Sequence, residues 1–348
     1  MTRRLTTLIA LALAATALAA CGEKSEPSGS NPGSAADAFT VVLDYFPNAD
    51  HAGIYAALGS GEFERAGLDV KLVTPPNPSA PLQFLQAGRA DLAITYPPEL
   101  ITARSKGKQL LSVGAVVQKP LTTLMAIQGS GVKTVADLRG KRVGTAGIPY
   151  QRAYLKTILD KAGVPERSVD VTDVGFNLTG SMISRKVDAT LGAFWNYEGV
   201  DLERRGRKPT ILRMEKLGVP TYPELVFAAR RKALQPAEAA KIRRFLQAVA
   251  RGTQLARTDP EQAVDALLDA NGDLDRRLQL NAIKATSDVF VPAERKDPFG
   301  WQDQDQWHAY GEWMYRNGLV PEHPQAEDAF TNEFLPGQGV ASNTAEPR

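Results

Sequence analysis

Short apolar runs alternate with amphipathic segments over most of the chain. The runs are rich in Val, Ile, Leu and Ala and are bounded by Gly, Pro, Asn or Asp, which is typical of buried strands. They predict strands at residues 39–44, 68–73, 92–95, 110–117, 124–127, 141–144, 169–174, 189–193 and 225–229. The segments between them follow cap residues or Pro, and they predict helices at residues 52–58, 81–87, 99–106, 135–138, 150–162 and 178–184.

Two series of strands and helices follow one another, and the second begins after Pro120. This alternation predicts parallel βαβ units and an α/β fold. We therefore expect lobe 1 to contain residues 39–121 and 224–336, and lobe 2 to contain residues 122–223, with two crossovers acting as a hinge. A cleft between such lobes lies at the carboxyl ends of the strands and can close around a ligand. The last part of the chain predicts mainly helices, at residues 237–256, 260–271, 275–289 and 303–316.

The two ends of the chain differ from the rest. Residues 1–20 carry two arginines followed by an uncharged Leu/Ala-rich run, which predicts a signal peptide. The run ends in Leu-Ala-Ala-Cys, which resembles the lipobox of bacterial lipoproteins, so Cys21 is the expected lipidation site. Residues 21–38 would then be a lipidated cysteine and flexible tether, and residues 337–348 a disordered tail. The sequence thus predicts a protein outside the cytoplasm, lipid-anchored to the cell membrane without spanning it.

Composition removes several classes of function. Hydrophobic residues make up 43% of the chain, and without the two arginines of the leader there are 39 basic and 39 acidic residues. No basic block stands out, so we expect no nucleic-acid partner. Cys21 is the single cysteine, which excludes an internal disulfide, a Cys-ligated metal and a Cys nucleophile. We expect a monomer that holds neither a metal nor a cofactor.

Two loops that follow strands of the first series carry candidate ligand-binding residues. The first holds Asp44, Tyr45, Asn48 and His51 between the first strand and its helix, where aromatic and polar side chains suit the wall of a cleft. Core packing of the ring and capping of the helix by Asn48 are the alternatives. Tyr96 follows the third strand, where it could stack on a ligand or belong to a turn that begins the next helix.

The second series contributes two further loops. Gly144, Thr145, Gly147 and Tyr150 link a strand to a helix whose N-terminus would attract polar groups, but the loop is neither GxGxxG nor a P-loop. The next loop combines an indole, an amide, a phenol and a carboxylate. This mixture suits a flat heteroaromatic ligand that carries an amino group, with core packing as the alternative. Its members are Trp195, Asn196, Tyr197 and Glu198.

Taken together, these segments resemble the solute-binding proteins of the NMT1/THI5-like family, in particular those for thiamine-pyrimidine precursors. The resemblance extends over residues 39–336. The segments that carry it are LDYFPNADHAGIY at 43–55, GLDV at 67–70, GRADLA at 88–93, DLRGK at 137–141, VDA at 187–189, FWNYEG at 194–199 and FTNEFLP at 330–336.

This resemblance implies a two-lobed periplasmic-binding-protein fold of type II and a formylaminopyrimidine-type ligand for salvage into thiamine biosynthesis. Tyr45, Trp195 and Tyr197 would wall the ring, and Glu198 would bind its amino group. Lobe 1 would contribute Asp44, Asn48 and His51, with Tyr96 and the loop 144–150 as further contacts. The implied partners are an ABC permease and its cytoplasmic ATPase.

Three alternatives remain open at the level of sequence. The first is a binding protein for another small ligand, such as riboflavin, taurine or a sulfonate. The second is a pyrimidine synthase enzyme, although the related synthases carry a cysteine-rich segment that this chain lacks. The third is a sensory or structural lipoprotein on the same fold. We expect no enzymatic activity.

Overall fold

The computed structural model describes residues 36–290 and 297–338. The predicted signal peptide, the lipidation site at Cys21, most of the tether and nearly all of the predicted tail lie outside these residues. The strands of the described part are β1 Asp37–Val42, β2 Leu68–Val73, β3 Leu92–Thr95, β4 Leu110–Val117, β5 Thr122–Ile127, β6 Arg142–Thr145, β7 Asp170–Asp173, β8 Ala189–Phe194, β9 Pro209–Arg213 and β10 Leu225–Arg230.

Helices cover both sheets. They are α1 Ala52–Gly59, α2 Glu62–Arg65, α3 Pro81–Gln86, α4 Pro97–Ser105, α5 Pro149–Lys161, α6 Leu178–Ile183, α7 Glu198–Arg204, α8 Met214–Leu217, α9 Pro236–Thr258, α10 Pro260–Ala270, α11 Arg276–Phe290 and α12 Gln304–Arg316. The predicted helix at 135–138 is a 3-10 turn, Val135–Leu138.

The strands form two separate five-stranded sheets, in the orders β2-β1-β3-β10-β4 and β7-β6-β8-β5-β9. We call the sheets with their helices the first and second lobes. In the first sheet β1 is parallel to β2 and β3, as the alternating pattern predicts. However, β10 runs antiparallel between β3 and β4, and β5 runs antiparallel between β8 and β9. The prediction of parallel βαβ units does not extend to β5 and β10, because each enters its sheet directly from a crossover, which reverses its direction.

The chain passes between the sheets twice. The first passage lies between β4 and β5, and the second lies between β9, with the short α8 after it, and β10. Glu224 ties the passages together: its buried carboxylate accepts the backbone N–H groups of Leu121 at 2.6 Å and Thr122 at 2.8 Å. It also accepts the hydroxyl of Thr122 at 2.7 Å. The hinge between the lobes is therefore built around one buried acid.

The C-terminal helices return to the first lobe. α9 and α10 pack on α1, and α9 also contacts α2. This explains why α1 is buried almost all round: six of its eight residues are buried, so it has no polar face. With α1 fixed between the sheet and these helices, the loop that precedes it has a defined position at the end of β1.

Candidate ligand-binding site

A cavity lies between the two lobes, at the carboxyl ends of strands from both sheets. The cavity itself encloses about 20 Å³, and the space between its lining atoms reaches about 370 Å³ when the open mouth is included. Most of its walls come from the segments that follow β1, β3, β6 and β8, as expected for ligand sites in open α/β sheets. The lining residues are Asp44, Tyr45, Asn48, Asp50, Tyr96, Ala146, Ile148, Gln151, Leu178, Gly192, Phe194, Tyr197 and Glu198.

Asp44 is held in place by two buried neighbours. His51 Nε2 lies 2.8 Å from Asp44 Oδ1, and the Tyr96 hydroxyl donates to Asp44 Oδ2 at 2.7 Å. The backbone N–H of Asn48 points to His51 Nδ1 at 3.3 Å, so the ring hydrogen lies on Nε2 and is donated to Asp44. His51 is fully buried and does not line the cavity. Its contact therefore orients the carboxylate of Asp44.

Asn48 shapes the turn that begins α1. Its side-chain oxygen accepts the N–H of Asp50 at 2.8 Å, and its amide donates to the carbonyl of Phe46 at 2.9 Å. Together with His51 it forms a capping box, which is the structural alternative that its position suggested. Asn48 still lines the cavity, but its polar atoms serve the turn, which presents Asp44 and Asp50 to the cavity.

The second lobe adds a further carboxyl group. Glu198, in the first turn of α7, accepts the N–H of Phe194 at 2.7 Å, and burial raises its pKa to about 7. Burial likewise raises the pKa of Asp50 to about 7, although His51 and Asn196 oppose the shift. Asp44, Asp50 and Glu198 all line the cavity, and no Lys or Arg is among the described residues that do so. Such a cavity favours hydrogen-bond donors and cations over anions.

Aromatic rings from both lobes cover the cavity. Tyr45 packs against Phe46, with ring centroids 4.6 Å apart, and edge-on against Phe176 of the second lobe at 4.5 Å. Phe46 also meets Tyr197 at 6.0 Å. The hydroxyl of Tyr45 is buried and has no hydrogen-bond partner among the described residues. It is therefore available to a ligand in the cavity.

Trp195, predicted as a wall of the ring, is not among the residues that line the cavity. Its indole N–H donates to the carbonyl of Pro120 at 3.1 Å, and the guanidinium of Arg213 lies 4.3 Å from its ring centroid. Phe194 and Tyr197 take the cavity positions instead. Neighbouring residues at the end of a strand point to opposite faces, so Phe194 and Trp195 cannot both face the cavity.

Four other predicted residues are near the cavity without lining it. Between the end of β6 and the first turn of α5, Ala146, Ile148 and Gln151 face the cavity, whereas Gly144, Thr145, Gly147 and Tyr150 do not. The hydroxyl of Thr145 donates to Asp173 at 2.6 Å, and the ring of Tyr150 packs between Tyr96 and Tyr154.

Asn196 also lies outside the cavity, in a contact between the lobes. Asp50, Gln151 and Gly192 are lining residues that the sequence did not single out as ligand contacts. Of these, only Asp50 carried a signal, because it follows β1 in the loop already proposed for the site.

Gly192 forms part of the cavity wall, and a substitution there shows how tightly the wall is packed. Its φ is +111°, and a Cβ on it would overlap the side-chain amide of Gln151. We expect Gly192→Ala to lower the free energy of unfolding by about 1–3 kcal/mol in urea titrations, and to weaken ligand binding. Gly206→Ala is the control, because φ is also positive there, +67°, but a Cβ would meet nothing within 4 Å. If both variants lose the same stability, backbone strain at a positive φ explains the effect and the overlap with Gln151 does not contribute.

Comparison with known proteins identifies the fold. The periplasmic aliphatic sulphonate-binding protein SsuA of Escherichia coli superposes with a TM-score of 0.64 at 19% identity, covering 86% of this chain and 98% of that one. The architecture is thus the two-lobed periplasmic-binding-protein fold, and the predicted α/β class is confirmed.

The family follows from the sequence comparisons. Residues 48–263 match the family described as NMT1/THI5 like. The formylaminopyrimidine-binding protein of Halalkalibacterium halodurans is 32% identical over 93% of this chain and 98% of its own length. The 4-amino-5-hydroxymethyl-2-methylpyrimidine phosphate synthase of Legionella pneumophila is 26% identical over 85% of this chain and 92% of its own length. The chain belongs to the NMT1/THI5-like family, which confirms the resemblance found in its motifs.

None of the helices in residues 36–290 and 297–338 is long and apolar enough to cross a membrane. The same residues contain no group of three or more His, Cys, Asp or Glu side chains that could hold a metal ion.

Proposed function

We propose that this protein is the solute-binding component of an ABC importer, and that it captures a formylaminopyrimidine-type thiamine precursor for salvage. The observation that carries this proposal is the acidic cavity, in which Asp44, Asp50 and Glu198 meet with no lining Lys or Arg. An aminopyrimidine offers N–H donors along its ring edges, and carboxylates are acceptors for them. The name of the 32% identical relative, a formylaminopyrimidine-binding protein, supports the same ligand.

In this proposal each lobe supplies one fixed acceptor. Asp44 accepts a donor from one edge of the ring, since His51 and Tyr96 hold its carboxylate in place. Glu198 accepts the amino group from the side of the second lobe. Tyr45 and Tyr197 cover the ring, and Phe194 occupies the position first assigned to Trp195.

The same cavity argues against a sulfonate or taurine, even though the fold resembles that of sulphonate-binding proteins. A sulfonate would bring a fixed negative charge beside three buried carboxyl groups, and no lining cation would compensate for it. Arg152, in the first turn of α5, forms an exposed ion pair with Asp173 at 3.0 Å. Ligand chemistry therefore favours a neutral or cationic heterocycle.

The remaining parts of the proposal concern organisation. We place the lobe boundaries at residues 121/122 and 223/224, where the two passages join at Glu224. Cys21 would be lipidated and hold the protein at the outer face of the cell membrane, within reach of the permease. Closure of the lobes around the ligand would produce the form that docks to the permease, as a monomer and without catalysis.

A thermal-shift screen tests the function. The protein from residue 22 onward is unfolded and refolded to remove bound ligand, then tested with formylaminopyrimidine, hydroxymethylpyrimidine, thiamine, riboflavin, taurine and nitrate. At 100 times its dissociation constant, a ligand adds about 2.7 kcal/mol, a shift of a few degrees. We expect a shift with the pyrimidines only. A shift with taurine or nitrate would overturn the ligand class, and conversion of the pyrimidine into another compound would identify an enzyme.

A further inference from the structure

Asn196 joins the two lobes directly. It lies in the turn between β8 and α7 of the second lobe, and its side-chain nitrogen donates to two acceptors of the first lobe. One is Asp50 Oδ1 at 2.5 Å, in the turn before α1, and the other is Thr286 Oγ1 at 2.7 Å, on α11. All three side chains are buried, with 0–2% of their surface exposed. This contact exists only while the lobes are together.

The chemistry of the contact requires an amide. The hydroxyl of Thr286 donates its hydrogen to the carbonyl of Ala282 at 2.6 Å, so it faces Asn196 as an acceptor. Asp50 is an acceptor as well when it is ionised. Only the NH2 group of Asn196, which carries two hydrogens, can satisfy both partners at once. The oxygen of the same amide has no partner among the described residues, which indicates that the two donated bonds decide its orientation.

Asp50 connects this contact to the ligand cavity. Its side chain lines the cavity together with Asp44 and Glu198, whereas Asn196 and Thr286 do not. Beside it, Tyr197 receives a hydrogen bond from Gln279 of α11 at 3.1 Å, again between the lobes. The hydrogen bond from Asn196 is thus made to the cavity carboxyl group of Asp50, which water would solvate in the open protein.

We propose that Asn196 is the positioning residue for lobe closure: it does not touch the ligand, but fixes the cavity carboxylate of Asp50 when the lobes meet. The proposal rests on the function proposed above only in that a ligand occupies this cavity. The motif that contains Asn196 first suggested direct ligand binding. The proposal assigns this residue a different role. The residue stabilises the closed complex, so its removal speeds ligand release.

Rate measurements test this role. Hydroxymethylpyrimidine is mixed with wild type, Asn196→Ala and Asn281→Ala in a stopped-flow fluorimeter. Asn281 is the matched control because it is an exposed amide on α11, the helix that carries Thr286. We expect Asn196→Ala to raise the dissociation rate constant at least tenfold and to change the association rate constant less than twofold. Equal dissociation rates in Asn196→Ala and the control would overturn the proposal, as would a loss confined to association.

Asn196→Asp gives a second readout that a general packing defect would not produce. It places a carboxylate against Asp50, in a region that already contains Asp44, His51 and Glu198. Two facing carboxyl groups can share one proton, so the affinity of this variant relative to wild type should recover at least tenfold from pH 8 to pH 6. A ratio that does not change with pH contradicts the contact.

The two proposals fail separately. If wild type binds riboflavin or taurine and no pyrimidine, the ligand assignment fails, and the same rates are measured with the ligand that binds. If wild type binds hydroxymethylpyrimidine and Asn196→Ala releases it at the wild-type rate, the ligand assignment stands and the closure role of Asn196 fails.

Discussion

The Glu198→Gln protein will bind an aminopyrimidine about 10 to 100 times more weakly than wild type. Glu198 lines the cavity, and its other contact is structural, since Oε2 accepts the N–H of Phe194 at 2.7 Å. At pH 8, where a carboxyl group with a pKa of about 7 is ionised, a glutamine keeps the shape and can still accept that N–H, but it loses the charge that strengthens a bond to an amino group. Hydrogen bonds to charged groups contribute about 1.5–3 kcal/mol, which corresponds to the expected loss.

Calorimetry on two ligands and two variants separates this effect from a general one. Glu203→Gln removes the same charge from the exposed side of α7 and should leave the affinity unchanged. A pyrimidine without the amino group should bind wild type and Glu198→Gln with similar, weak affinity. If both ligands lose the same factor in Glu198→Gln, the carboxylate does not contact the amino group.

The bounds of three strands were predictable to the residue. β2, β3 and β4 match the apolar runs at 68–73, 92–95 and 110–117, because a run bounded by turn residues leaves little choice of ends. β9 was missed. It begins with Pro209, lies at the edge of the second sheet and is only half-buried, so its sequence lacks the apolar run that identifies a strand.

For the candidate site, the sequence identified the loops but not the direction of each side chain. Asp44, Tyr45, Tyr96 and Glu198 could be proposed because each follows a strand, and strand ends of one sheet meet at one edge. Position in sequence does not say which neighbour points inward. Asn196 and Trp195 were therefore predicted as ligand contacts although one joins the lobes and the other packs at the hinge.

Loss of the Glu224 side chain should destabilise the protein strongly. Its carboxylate accepts two backbone N–H groups and the hydroxyl of Thr122, and Tyr222 lies 3.3 Å away. Glu224→Leu leaves the N–H groups of Leu121 and Thr122 buried without acceptors. Each unsatisfied donor costs about 1–3 kcal/mol, so we expect urea unfolding to show a loss of about 3 kcal/mol or more. A loss below 1 kcal/mol would mean that water or another group satisfies these donors.

Glu224→Gln should behave differently, and pH distinguishes the two roles of the carboxyl group. Glutamine can still accept both backbone N–H groups, so the loss of unfolding free energy in this variant should be small at pH 5.

Burial raises the pKa of Glu224 from 4.5 to about 7, which means that the folded protein holds a proton that the unfolded chain has released. The stability that this proton provides is complete below pH 4.5 and is lost as the pH rises through 7. Between pH 5 and pH 7 wild type should therefore lose about 2 kcal/mol more than Glu224→Gln, measured as the difference in unfolding free energy. Parallel pH profiles for the two proteins would show that Glu224 is already ionised in the hinge at pH 5, held so by the donors of Leu121 and Thr122.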